Sequence, residues 1–137
     1  MKRVVGMLIA FAMSAGVVNA ASCESNFKTS GVPMVTAVSY KTWQELPKAK
    51  AAVVLKTLAQ AVAAEGFSGI EINRELSTID AYQETTGSGR VQTLRVVARQ
   101  KGAGVRVDAI FDIQAGQVTS NNVVRTGLCN IVNSVSR

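Results

Sequence analysis

VQTLRVVARQKGAGVRVDAIFDI, residues 91–113, is the stretch that decides the fold of this chain. Apolar and polar residues alternate along most of both halves, which is the pattern of strands buried on one face only. Gly102-Ala103-Gly104 separates the two halves and supplies the residues of a tight turn. The stretch therefore predicts an antiparallel β-hairpin.

The two faces of this hairpin differ in chemistry. One face carries a set of apolar side chains: Leu94, Val96, Ala98, Val105, Val107, Ala109, Phe111 and Ile113. The other carries charged side chains: Arg95, Arg99, Arg106, Asp108 and Asp112. A one-residue slip would exchange the faces, so the alternation also predicts the register.

Weaker patterns on either side of the hairpin complete the list of elements. Strands are predicted at 32–40, around Ile70 and Ile72, and at 78–86, with a turn at 87–89. Apolar residues at helical spacing between Pro47 and Gly66 predict a long helix over 42–66. Residues 22–31 are expected to be a polar tether, and 114–120 a loop. A last helix is expected with Asn121 or Asn122 as its N-cap.

This order of elements predicts a single α+β domain. The half-apolar sheet needs a cover, and the long helix is the largest one available. We therefore expect an antiparallel meander of four to five strands gripping one long helix, in a helix-grip or cystatin-like arrangement. A short C-terminal helix is expected to lie beside it.

The N-terminus has the pattern of a secretory signal peptide. Lys2 and Arg3 precede an uncharged apolar run, and Val18-Asn19-Ala20 ends the run with small or β-branched residues. The run is shorter than a membrane span. We expect residues 1–20 to be removed and residues 21–137 to form the domain, in the periplasm of a bacterium. A retained anchor helix is the alternative.

Export changes the interpretation of the two cysteines. Cys23 and Cys129 form an even pair in an oxidising compartment, which favours a disulfide. Alternatively, Ala20-Ala21-Ser22-Cys23 resembles a lipobox without its usual leucine, which would make the protein an outer-membrane lipoprotein attached through Cys23. Free thiols are the third possibility. The spacing gives no Cys-x-x-Cys redox pair.

Composition excludes several functional classes. There is no His, which removes Ser-His and Cys-His nucleophile pairs and His-containing zinc sites. We expect no cofactor and no metal. Aromatic residues make only 5% of the chain and no run of Lys or Arg occurs, so nucleic-acid binding is not expected. No later segment is long and apolar enough for a second span, so the mature chain should have no transmembrane segment.

The charged face of the hairpin is the candidate binding face. We assign to it Arg95, Arg99, Arg106, Asp108 and Asp112, and we add Trp43 as a possible anchor for a partner. Asp108 and Asp112 are too far apart along one strand, about 13 Å, to act as a glycosidase acid/base pair. The simplest interpretation of these charges is a solvated surface with cross-strand ion pairs.

Several short motifs resemble a known class of proteins. Ala-Glu-Gly-Phe at the end of the helix (64–67), Ile-Asp-Ala at 79–81 and the late Leu128-Cys129 are similar to small exported bacterial envelope proteins of helix-grip type. The plan also resembles the modules of the lipoprotein in the outer-membrane assembly machine. The cystatin inhibitory motif Gln-x-Val-x-Gly is absent, since residues 90–93 read Arg-Val-Gln-Thr. The resemblance implies binding or accessory roles.

These observations favour a non-catalytic envelope protein that contacts another envelope protein or a cell-wall component. An inhibitor of, or immunity protein against, a toxin or lytic enzyme is an alternative. A carboxylate-based hydrolase is a further one. Because function follows a site rather than a fold, the arrangement of the charged face distinguishes among them.

Overall fold

The computed structural model describes residues 22–84 and 89–136, which form an antiparallel sheet covered by helices. Its six strands are β1 (Lys28–Ser30), β2 (Val38–Leu46), β3 (Ser68–Asn73), β4 (Thr78–Glu84), β5 (Val91–Lys101) and β6 (Gly104–Ile113). Its three α-helices are α1 (Cys23–Asn26), α2 (Ala51–Ala64) and α3 (Asn121–Val132), and a 3-10 turn follows at Asn133–Ser136. The α+β class and the short C-terminal helix are therefore confirmed. The leader expected at residues 1–20 lies outside the described ranges.

The strands lie in the order β1-β2-β6-β5-β4-β3, and every neighbouring pair is antiparallel. Strands β3 to β6 follow one another as a meander. Strand β2 pairs with β6, although α2 and three strands separate them along the chain. This pairing places β6 between two long strands. Its residues alternate without a break between buried and less buried, as expected for a central strand with one face on the core.

Helices α2 and α3 cover the same face of the sheet. Helix α2 buries Val54, Leu55, Leu58 and Val62, and α3 buries Val124, Leu128, Ile131 and Val132. These side chains form one core with the inward residues of the sheet, among them Ile79, Val96, Val107 and Phe111. The core therefore lies between the sheet and two helices.

The expected meander of four to five strands gripping one long helix is wrong in two respects. The sheet has six strands within the described residues, because Lys28–Ser30, expected to be part of a tether, pairs along the edge of β2. All three residues of β1 are exposed, so no apolar alternation marks the strand in the sequence. The cover is also shared, since α3 has almost the length of α2 and buries a comparable stripe.

The boundaries of the first long strand and of α2 also differ from expectation. Residues 32–36 form a turn in which Thr36 bonds both the N–H and the C=O of Val32, so β2 begins only at Val38. Strand β2 then runs through Trp43 to Leu46, and α2 begins at Ala51 rather than near 42. Polar Thr42 occupies a buried position of β2, and this polar residue hides the strand's alternation.

Other predictions are confirmed closely. The hairpin of β5 and β6 has the predicted faces, with Leu94, Val96, Phe111 and Ile113 all buried. Strands β3 and β4 lie where alternation placed them, although the expected turn at 87–89 and the end of the run at 85–86 fall largely outside the described residues. Helix α3 begins at Asn121, one residue earlier than a cap at Asn121 would give and two earlier than a cap at Asn122. Its N-cap is Ser120, whose hydroxyl accepts the Val123 N–H.

Cys23 and Cys129 are joined, with their sulfur atoms 2.04 Å apart. The bond connects α1 to α3, and both cysteines are buried. Both sulfur atoms are used by this bond, which favours the disulfide over lipid attachment at Cys23. Buried Thr42 completes the contact, since its hydroxyl donates to the Cys23 carbonyl.

Candidate functional site

The candidate site lies on the outer face, by which we mean the face of the sheet opposite α2 and α3. Within the described residues no helix or strand covers it. Side chains along a strand point alternately to the two faces of the sheet. The buried residues of β5 and β6 therefore identify the residues between them as pointing to the outer face. Of the predicted residues, Arg95, Arg99, Arg106, Asp108 and Asp112 all lie on this face, between buried neighbours or beyond them. Trp43 joins them because it lies on β2, opposite Asp108 in register.

Four of these residues form a connected set that we call the arginine network: Trp43, Arg99, Arg106 and Asp108. Asp108 accepts hydrogen bonds from both arginines, with nitrogen–oxygen distances of 3.0 Å in each ion pair. The Arg106 guanidinium also lies 4.4 Å from the centre of the Trp43 ring, in a cation–π contact. The contacts hold Arg106 from both sides, and its side chain is only 28% exposed.

Arg95 belongs to a separate pair on the neighbouring strand. Its Nε lies 2.7 Å from a carboxylate oxygen of Asp80 on β4. This hydrogen bond and the negative charge of Asp80 raise the pKa of Arg95 above its ordinary value. Both side chains are largely exposed, so the pair contributes little to stability, on the order of 0.2–1 kcal/mol for exposed pairs in general.

One row of residues crosses all six strands of the outer face, and we call it the charged row. Strand pairing aligns its members directly from β1 to β3: Lys28, Lys41, Ile110, Arg95, Asp80 and Glu71. The row begins with two cations, has Ile110 near its middle, and ends with two carboxylates. The charged row itself therefore has a positive end at β1 and β2 and a negative end at β4 and β3.

Two open depressions follow this division of charge. One, of about 500 Å³, is lined by four cations, Lys28, Lys41, Arg99 and Arg106, together with Trp43 and the carboxylate of Asp108. The other, of about 750 Å³, is lined by Glu71, Asp80 and Asp112 together with Arg95 and Tyr82. Ile110 borders both.

A third cavity lies on the helical side, between α3 and the end of α2. It has a volume of about 120 Å³ and is lined largely by apolar groups, including Phe67, Phe111 and Leu128. Small-molecule sites usually have about 300–1,000 Å³, so this cleft is too small to hold a ligand of ordinary size. The outer face is therefore the better candidate for binding.

The predicted residues do not all act together. Asp112 lies one row beyond Ile110, opposite Ser39 and Thr93, and makes no ion pair with any residue in the described ranges. It contributes to the acidic depression rather than to the arginine network.

Sequence reasoning missed several members of the outer face. Asp80 and Glu71 could have been found, since Asp80 sits between buried Ile79 and Ala81 and Glu71 pairs with it. Lys41 lies between the strand predicted at 32–40 and the helix predicted over 42–66, so neither pattern assigned it to a face of the sheet. Lys28 had no sequence signal at all, because its strand is exposed throughout.

The described residues contain neither a cluster suited to a metal ion nor a helix suited to span a membrane. Across 22–84 and 89–136, no group of three or more His, Cys, Asp or Glu side chains is arranged to hold a metal ion. No helix in the same ranges is long and apolar enough to cross a membrane.

Comparison with known proteins adds no assignment. No protein-family model matches the sequence. No curated protein matches it either.

Proposed function

We propose that this chain is a non-catalytic binding or accessory protein of the bacterial envelope. It would contact another envelope protein or a cell-wall component through the outer face of its sheet. The observation that carries the proposal is the arginine network, held in place on a face that nothing in the described residues covers. Arg and Trp are among the residue types that contribute most to protein interfaces.

The network is suited to binding because much of its order exists before a partner arrives. Arg106 is fixed between Trp43 and Asp108 at 4.4 Å and 3.0 Å, respectively. Immobilising a free side chain on binding costs about 0.5–1.5 kcal/mol, and a side chain already held avoids most of that cost. Arg99 is 60% exposed and shares Asp108, so it can turn toward an acidic group of a partner.

The same contacts argue against the alternative of a carboxylate-based hydrolase. Asp108 is bound by two arginines and Asp80 by one. A catalytic carboxyl group must be free to contact the reacting atoms of a substrate, whereas the oxygens of these two carboxylates already accept hydrogen bonds from arginines. The remaining carboxylates, Glu71 and Asp112, line a depression that is open to solvent.

The envelope location is proposed from the leader pattern at 1–20 and is supported by the Cys23–Cys129 bond. We expect the protein purified from the periplasm of an expressing bacterium to begin at Ala21. Intact-mass measurement tests this. A retained leader, or an added lipid mass on Cys23, would contradict it.

Binding through the outer face is tested by affinity capture from envelope extract, with the purified protein as bait and with isolated cell wall in a parallel sedimentation assay. Trp43→Ala and Arg99→Glu should each reduce recovery of the partner about tenfold or more. Lys56→Glu is the matched control. It makes the same charge change as Arg99→Glu, but at an exposed position of α2 on the helical side of the sheet. A partner recovered equally by all variants would place binding elsewhere, and no specific recovery in either assay would contradict the proposal.

A further inference from the structure

The order of charges along the charged row is nearly antisymmetric: cations at one end correspond to carboxylates at the other. Read from β1 to β3, its charges are positive, positive, neutral, positive, negative and negative, for Lys28, Lys41, Ile110, Arg95, Asp80 and Glu71. Apart from Arg95, reversing the order of the row exchanges its cations for its carboxylates. Such a surface is complementary to a rotated copy of itself.

We propose that the outer face binds a second copy of this chain. The two sheets would pack face to face about a twofold axis that runs along the strands, between β5 and β6. This rotation places β2 of one copy over β4 of the other, and β1 over β3. Lys41 then faces Asp80 of the second copy, and Lys28 faces its Glu71. A twofold interface of this kind uses the same patch on both molecules.

The charges that would meet are available in the single chain. Among the described residues, Lys28, Lys41 and Glu71 make no ion pair of their own. Asp80 is paired with Arg95, but its side chain remains 44% exposed and can accept a second cation. Complementary charges at these positions would fix the orientation of the two copies.

The centre of the proposed interface mixes apolar and charged side chains, since the rotation places Ile110 opposite Arg95 of the second copy and Val97 opposite its Asp108. Ile110 on β6 and Val97 on β5 lie beside the axis, and both are half-buried on the outer face. The alternative twofold axis runs across the strands. It would place Lys41 against Lys41 of the second copy and Lys28 against Lys28. Like charges would then oppose association, so the row selects a single arrangement.

The area is sufficient for a specific contact. The six strands lie about 4.8 Å apart, and the facing strands overlap over an average length of about 23 Å. The contact area is therefore about 600 Å² on each copy. The total of about 1,200 Å² lies at the lower end of stable interfaces. The row of Glu45, Arg106 and Arg99 lacks the antisymmetry, and the rotation places Arg106 opposite Arg99 of the second copy. Asp108 pairs with both arginines of its own chain and offsets part of their charge.

This inference rests on the proposed use of the outer face for binding, since the second copy would occupy that same face. An envelope partner would have to displace it. Sedimentation equilibrium of the purified protein over about a hundredfold range of concentration should give a mass approaching twice that of one chain. Raising the salt concentration should weaken association, because the charges are exposed.

Charge exchange gives the decisive comparison. The Lys28→Glu/Lys41→Glu variant should raise the dissociation constant about tenfold or more, and so should Glu71→Lys/Asp80→Lys. An equal mixture of the two variants should associate again, because each then offers the charge that the other lacks. Restored association also shows that both variants are folded. The control Lys50→Glu/Lys56→Glu changes the same charge on the helical side and should leave association unchanged.

Three results would overturn the inference: a monomer at every concentration, a dimer unaffected by the face variants, or a mixture that fails to associate. The proposed function has its own separate outcome. If the protein is monomeric but partner recovery still depends on Trp43 and Arg99, only self-association is wrong. If recovery is also indifferent to those residues, both proposals fail.

Discussion

Phe111 and Asp108 lie three residues apart on β6, yet they point to opposite faces of the sheet. Phe111 is buried, with its ring centre 6.1 Å from that of Tyr40 and 5.9 Å from that of Phe67. Asp108 binds Arg99 and Arg106 on the outer face. The period of two in the sequence predicted this division correctly, because burial on one face leaves a direct trace in residue type.

Replacing each of these residues should therefore have different effects on stability. Phe111→Ala should lower the free energy of unfolding by about 3–5 kcal/mol, because it empties a core position. Asp108→Asn should lower it by less, about 1–2 kcal/mol, because the half-buried Asp108 loses the charge of its two ion pairs while the amide oxygen can still accept a hydrogen bond. Denaturant unfolding of the two variants measures both values. A tolerated Phe111→Ala beside a strongly destabilising Asp108→Asn would mean that the faces are reversed.

Gly69 illustrates a residue whose role the sequence did not reveal. It lies in β3 at an irregularity of pairing, with a φ of +60°, and the ring of Tyr82 packs directly against it. A Cβ at this position would come within 2.1 Å of that ring. The glycine thus lets Tyr82 lie flat on the outer face, in the acidic depression.

We expect Gly69→Ala to cost more than its backbone conformation explains. Gly102 has almost the same φ, +59°, but nothing lies within 4 Å of its added Cβ. Gly102→Ala should therefore cost only the conformational term of about 1–2 kcal/mol, and Gly69→Ala an additional 1–3 kcal/mol, roughly, from overpacking. Thermal or denaturant unfolding measures the difference, and combining Gly69→Ala with Tyr82→Ala should remove the excess. An excess that persists without the ring would contradict this explanation.

At the scale of elements, the start of α2 depends on a residue from the hairpin. The N-cap position, Lys50, provides no side-chain hydrogen bond. Gln100 on β5 supplies it instead, since its Oε1 accepts the Ala51 N–H at 2.9 Å. Its Nε2, which carries two hydrogens, lies within hydrogen-bonding distance of the carbonyls of Ala49, Gly102 and Gly104. One side chain therefore joins the helix start to the β5–β6 turn.

This arrangement explains why sequence reasoning placed the helix start wrongly. Cap residues are normally recognised just before a helix, whereas this cap lies 49 positions further along the chain. The apolar spacing of α2 is visible in the sequence and predicts correctly that a helix forms there. The start of the helix depends on tertiary contact, which no local pattern records.

Gln100→Ala should consequently destabilise the protein by about 1–3 kcal/mol, because it removes a helix cap and leaves several backbone groups without their partner. Gln60→Ala is the matched control, since Gln60 is exposed in the middle of α2. Its effect should lie within about 0.5 kcal/mol of zero. Hydrogen exchange should show faster opening of the first turn of α2 in Gln100→Ala only. Equal effects of the two variants would show that Gln100 is not the cap.

Across the whole molecule, the pairing of β2 with β6 determines the outer face. It brings Trp43 beside Asp108 and Lys41 beside Ile110, and so assembles both the arginine network and the charged row. Local alternation predicted the β5–β6 hairpin, because its strands are adjacent in sequence. It could not predict that β2 joins the far side of β6, since that contact spans most of the described chain.

The Cys23–Cys129 bond acts at the same scale, closing a segment with a sequence separation of 106. A loop of about 100 residues is worth roughly 4–5 kcal/mol in the chain-entropy view. The sheet and two helices form a large core of their own, so Cys23→Ala/Cys129→Ala should fold but melt at a temperature about 15–25 °C lower. Calorimetry measures this change.

The same variant should lose order at α1 first. Cys23 is the only buried residue of α1, whereas α3 keeps Val124, Leu128, Ile131 and Val132 in the core. Hydrogen exchange should therefore become faster in 22–30 well before it does in 121–132. The remaining core should hold the sheet together, and with it the outer face, so the arginine network should persist. If the outer face loses protection together with α1, the bond supports the binding surface itself rather than the N-terminal segment alone.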